Sequence, residues 1–133
     1  MSSTTTHPIE TIGLVIVPST HQDRSIEFYE RHLGFEKRTD IPFGGNYRWV
    51  EVYPPSGTAG IALAPPREQD SVGVETGIAL NTDDADASHA QMKSLGVDVD
   101  AEVARMGDPV PPMFWFRDPD GNRLMVVELS QEQ

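Results

Sequence analysis

The chain states one pattern twice. An apolar stretch, Thr11 to Val17, leads into an amphipathic stretch ending at Leu33-Gly34-Phe35. A second apolar stretch, Thr76 to Leu80, leads into another ending at Leu95-Gly96-Val97. An internal repeat constrains architecture more than any single motif, because similar units bury their apolar faces against each other about a shared pseudo-symmetry axis. Each unit alone, at roughly 60 residues, is marginal as an independent domain. The 133 residues therefore fold as one domain with the functional site where the units meet.

Ile9 to Val17 is rich in Ile, Val and Leu and reads as a buried strand. After the loop Pro18 to Gln22, Ser19 or Asp23 is the candidate cap of a helix whose apolar face is Ile26, Tyr29 and Leu33. Gly34 ends it. Phe35 to Ile41, Tyr47 to Tyr53 and Ala59 to Ala64 read as strands, separated by turns at Pro42 to Asn46 and Pro54 to Gly57. The proline-rich, polar stretch 65–73 is the linker. Beyond it, Thr76 to Leu80 is a strand, and Asp83 or Asp84 caps a helix with Ala85, Ser88, Met92 and Leu95 on one face. Val97 to Val103, Met113 to Phe116 and Leu124 to Leu129 are the remaining strands. The expected organisation is a polar tail over 1–8, a first βαβββ module over 9–64, and a second over 74–129.

The formal charge of −11 argues against nucleic acid, whose binding relies on basic residues at phosphates. No apolar run reaches the roughly 18 residues of a membrane span, and the N-terminus lacks the apolar segment of a secretory signal. With no cysteine, disulfides, thiol nucleophiles and thiolate metal ligands are excluded. The expected location is the cytoplasm.

Arg24-Ser25-Ile26-Glu27-Phe28-Tyr29 with Leu33-Gly34-Phe35, and Phe114-Trp115-Phe116-Arg117-Asp118-Pro119-Asp120-Gly121-Asn122, stand in the right order within the repeat. Together they resemble the signatures of the glyoxalase, bleomycin-resistance and extradiol-dioxygenase (vicinal oxygen chelate, VOC) superfamily, over about residues 9–129. The resemblance implies an α+β fold of tandem βαβββ modules, their curved mixed sheets surrounding a cavity with the helices outside. It also implies a homodimer. The Asp-Pro-Asp-Gly carboxylates are read as turn formers, since Asp accepts backbone hydrogen bonds, Pro presets φ and Gly permits positive φ.

Family enzymes hold a divalent metal through His, Glu or Gln, which supply the nitrogen and oxygen donors such an ion requires. Carried over position by position, those ligands fall at Thr11, Ala62, Gly77 and Met125. None offers a nitrogen or a carboxylate. Glu10 adds one carboxylate beside Thr11, and His7, His21, His32 and His89 share no ligand spacing. The expectation is a metal-free branch with no cofactor.

Strand alternation sets Val50 and Val52 toward the helices and Trp49, Glu51 and Tyr53 toward the cavity. Met113 and Trp115 follow by the same rule. The expected lining is Thr11, Trp49, Glu51, Tyr53, Ala62, Gly77, Met113, Trp115 and Met125: small residues at the floor, aromatic walls and one acid. That composition suits a planar, partly apolar, cationic organic ligand. The four missing metal ligands favour a binding protein, and the resemblance implies one that sequesters an antibiotic or a similar molecule. The alternatives are a metal-independent lyase or isomerase with Glu51 as general base, and a metal-dependent lyase or dioxygenase whose ligands lie elsewhere.

Overall fold

A computed structural model describes residues 8–42, 44–45, 47–67 and 71–129. The order strand–helix–strand–strand–strand occurs twice: β1 (Leu14–Pro18), α1 (Gln22–Glu27), β2 (Glu36–Pro42), β3 (Arg48–Tyr53) and β4 (Gly60–Ala64), then β5 (Glu75–Thr82), α2 (Ala85–Ser94), β6 (Asp98–Val99), β7 (Met113–Arg117) and β8 (Arg123–Glu128). They form two four-stranded sheets, ordered β1-β4-β3-β2 and β5-β8-β7-β6. Each is mixed, with one parallel pair (β1 with β4, β5 with β8) and antiparallel neighbours elsewhere. This is the expected α+β arrangement, and the two sheets are not closed.

The reason is where the apolar residues go. Val50, Val52, Ile61 and Leu63 of the first sheet and Phe114, Phe116, Leu124 and Val126 of the second belong to one core, with Ile26, Phe28, Tyr29 and Met92 from the helical segments. Phe28 lies against Phe116, with ring centroids 6.4 Å apart. The helix-facing sides of both sheets thus share a single interior, and each buried large side chain contributes about 1.5–3 kcal/mol. By the two-residue period of a strand, the opposite sheet faces look away from that interior.

Three boundaries differ from the sequence reading. The first strand begins at Leu14, because only from there does β4 lie alongside it, Leu14 opposite Gly60. The second strand of the second repeat shrinks to Asp98–Val99, because the Asp100 side chain, not a ladder partner, accepts from the Trp115 amide and pairs with Arg117. The first helix takes His21 as N-cap with no side-chain cap bond. Ser19 is buried and bonds the Ser25 hydroxyl instead, 2.6 Å away. In α2 the cap is Asp84, whose carboxylate accepts from the Ala87 amide.

Helix α1 continues as a π-helical turn over Phe28–His32. The Phe35 amide reaches back six residues to the Tyr29 carbonyl, whereas in the second repeat Val97 reaches back five to Met92. The first helix therefore carries one extra residue before its terminal glycine. That turn buries the consecutive residues Phe28 and Tyr29 together.

The two repeats are joined by the Asp118-Pro119-Asp120-Gly121-Asn122 turn. Asp118 accepts from the Tyr29 hydroxyl (2.9 Å), the Asp120 and Asn122 amides and the Asn122 side chain. Asn122, fully buried, also donates to the Pro18 carbonyl and accepts from the Gly73 and Val74 amides. Asp120 accepts from Thr20 and Arg24. The carboxylates of this turn are structural acceptors. Burial pushes the Asp118 carboxyl above its ordinary value, against the pull of its hydrogen bonds.

Burial, followed by the charge of Asp118, raises the Tyr29 phenol well above 10.0. A raised pKa contributes stability that is complete below the unfolded value, about 10 for tyrosine, and is lost as pH rises toward the folded value. Urea unfolding of the wild type is expected to show falling stability above about pH 10, a slope that Tyr29→Phe reduces. At neutral pH Tyr29→Phe costs about 1.5–3 kcal/mol, read as a lower midpoint at unchanged m-value.

Candidate functional site

The expected lining residues fall into two groups on two sheets. On the first sheet, Trp49, Glu51 and Tyr53 alternate with the fully buried Val50 and Val52, so they project from the face away from the core. Glu51 lies opposite Ala62, which lies opposite Ile16 of β1. On the second sheet, Trp115 lies opposite Met125, which lies opposite Ala79, and Met113 lies opposite Val127. Gly77 sits in the register shift of β5 with φ +73°. Thr11 is not brought to either group: it is exposed, ahead of β1 and outside the sheet. The predicted lining residues other than Thr11 thus stand as two half-sites, one on each sheet.

The first half-site is ordered by its own hydrogen bonds. The Trp49 indole Nε1–H donates to Glu51 Oε2 and the Tyr53 hydroxyl to Glu51 Oε1, both at 2.7 Å. The bond to Glu51 raises the Tyr53 phenol from its ordinary value. The Arg38 guanidinium carbon lies 4.6 Å from the centroid of the Tyr53 ring.

The second half-site pairs an aromatic with an arginine in the same way. Arg123 lies 4.7 Å from the Trp115 ring centroid and is paired with Glu75 at 2.6 Å. That ion pair and the Gly77 amide hold the Glu75 carboxyl below its ordinary range. Arg123 occupies part of the indole surface expected to be open to a ligand. Met113 and Met125 lie beside Trp115 as half-buried, deformable apolar surface. The sequence reading did not single out Arg38 or Arg123. Each resembles an ordinary surface arginine until the fold lays it on a ring.

A cleft of about 1090 Å³ runs between the repeats, and Gly77 of the predicted lining residues borders it. Val15, Gly60, Ile78, Met92, Phe116 and Leu129 are among its lining residues. It contains none of Trp49, Glu51 or Trp115.

The metal positions fail on the chemistry of their donors. Ala62 and Met125 present carbon and a thioether, Gly77 presents no side chain, and Thr11, exposed ahead of β1, offers only a hydroxyl. Among the described residues, no three of His, Cys, Asp and Glu are grouped so that they could hold an ion. These residues do not fit a divalent metal of the family type.

Comparison with known proteins places this geometry. Residues 11–126 match the family described as Glyoxalase/Bleomycin resistance protein/Dioxygenase superfamily. A solved member of that superfamily from Sphaerobacter thermophilus DSM 20745 is 31% identical, with a TM-score of 0.84 over 91% of this chain and 98% of that one. TnmS3, an antibiotic binding protein from Streptomyces sp. CB03234, is 30% identical, with a TM-score of 0.81 over 93% and 99%. The uncharacterized protein YetH of Bacillus subtilis (strain 168) is 27% identical over 126 residues, 90% of this chain and 99% of its own.

A donor set without nitrogen or carboxylate gives a direct expectation. Treatment of the purified protein with a chelator leaves its melting temperature unchanged, and added zinc, nickel or manganese does not raise it, since only a ligand of the native state stabilises it. A metal-dependent rise abolished by Met125→Ala would contradict this assignment.

Proposed function

This chain belongs to the Glyoxalase/Bleomycin resistance protein/Dioxygenase superfamily, and on that premise we propose that it binds a planar organic molecule without metal, sequestering it as a homodimer. The observation that carries the reading is the Trp49–Glu51–Tyr53 face, where an aromatic-bracketed carboxylate stands beside Ala62, the position of a metal ligand. Indole and phenol rings offer stacking and cation–π energy of about 1 kcal/mol each. The carboxylate adds a preference for a basic or hydrogen-donating ligand, whose approach the net charge of −11 assists. TnmS3, an antibiotic binding protein of the same fold, supports a ligand of the antibiotic class.

The dimer is part of the same proposal. Two half-sites on outward faces need a second copy to enclose a ligand. The chain also offers surface for one: Ile12 and Ile16 are 78% and 62% exposed. Strands β1 and β5 end their sheets with one edge each unpaired among the described residues. Exposed strand edges and contiguous apolar side chains favour association. The two repeats, divided at the linker 65–73, would then each contribute one wall.

A thermal-shift screen with planar natural products and antibiotics tests the reading. A ligand at about a hundred times its Kd adds about 2.7 kcal/mol to native stability and raises the melting temperature. Trp49→Ala and Trp115→Ala are each expected to weaken that ligand, and Glu51→Gln to weaken cationic ligands more than neutral ones. Light scattering is expected to give twice the 14.7 kDa chain mass. A monomer that binds none of the library would overturn the proposal.

A further inference from the structure

We infer that Arg38 is a positioning residue: acting through Tyr53, it fixes the orientation of the Glu51 carboxylate and so selects ligands that carry a positive charge. The inference rests on the reading that this sheet face binds the ligand. It adds the reason that the carboxylate is set for recognition before any ligand arrives.

The device begins with a bulge. The pairing of β2 with β3 shifts between Lys37 and Thr39, which leaves Arg38 outside the regular ladder. Its guanidinium then turns to the β3–β4 connection, where it donates to the carbonyls of Pro54 (3.3 Å), Pro55 (3.1 Å) and Gly57 (3.2 Å), and to Glu36. A planar fork satisfied by this many acceptors has little freedom. It is held at the Tyr53 ring, not extended toward a ligand.

The ring is restricted from the neighbouring strand as well. A β-carbon at position 60 would lie 2.6 Å from Cε2 of Tyr53. Only glycine there lets the ring lie down on β4. With the ring held, its hydroxyl is delivered to Glu51 Oε1 while the Trp49 indole takes Oε2. Each carboxylate oxygen accepts about two hydrogen bonds, so one site on each remains for a ligand donor. Both internal partners are neutral, and among the described residues no ion pair reaches Glu51. Its charge is therefore oriented without being cancelled. Ordering three side chains during folding removes that entropic cost from ligand binding.

The test uses two planar tricyclic probes, cationic proflavine and neutral xanthone, with the full chain and its Arg38→Lys, Tyr53→Phe, Gly60→Ala and Glu51→Gln variants. Lysine keeps the charge but cannot reproduce the fork. Arg38→Lys, Tyr53→Phe and Gly60→Ala are each expected to weaken proflavine about tenfold and xanthone by about twofold or less, the selectivity expected from a displaced charge. Tyr53→Phe combined with Glu51→Gln should weaken proflavine no more than Glu51→Gln alone, because coupled residues are not additive. The Trp49 indole N–H resonance supplies a readout independent of ligand. It should lie downfield in the wild type and move upfield in Arg38→Lys and Tyr53→Phe, while the Val50 and Val52 amides stay in place. An unmoved indole resonance overturns the positioning role even if the dyes bind. If neither dye binds the wild type while the indole shifts as expected, the ligand-face reading and the selectivity built on it fail, and the positioning stands.

Discussion

The buried junction at Asp118 and Asn122 is the contact on which the other arrangements depend. It gathers the end of β1, the π-helical turn, the start of the second repeat and the last hairpin around two side chains. Every polar atom of the Asn122 amide has a partner, which is what makes its complete burial tolerable. The junction holds one repeat against the other, while the apolar side chains set which sheet faces turn inward.

The junction has no counterpart across the pseudo-symmetry axis. The equivalent connection in the first repeat is Pro54-Pro55-Ser56-Gly57, without a carboxylate at its first position, and the equivalent of Tyr29 is Met92. Neither can make the hydrogen bond, and there the repeats stand apart around the inter-repeat cleft. The β3–β4 connection is instead gathered by Arg38. One repeat uses its connection to join the halves of the molecule, and the other to order an outer face.

Much of this was legible in the residues. The alternation of Trp49, Val50, Glu51, Val52 and Tyr53 permits only one assignment of faces once a single core exists, and Leu33-Gly34 and Leu95-Gly96 mark both helix ends. Other features depend on contacts distant in sequence. Tyr29 and Asp118 are 89 residues apart, and no periodicity shows that they bond. Thr11 reads as strand by composition, but β1 begins only at Leu14. Arg38 owes its role to a bulge, and Arg123 to the strand beside it, so each acquires its meaning only from pairing. The sequence reading put these residues in one cavity; their distribution over two sheets follows from the strand pairing.

The extra residue in the first helix bears on how such a duplicated chain can vary. A residue inserted in an α-helix would rotate the chain on one side of it by about 100° relative to the chain on the other. The π-helical turn absorbs it locally, at Phe28–His32, so that the register of Gly34 and β2 is preserved. Phe28 and Tyr29 could thereby acquire separate partners, Phe116 and Asp118, without disturbing either flank. A π-helical turn is thus what lets two repeats of unequal helix length present the same glycine stop and the same following strand.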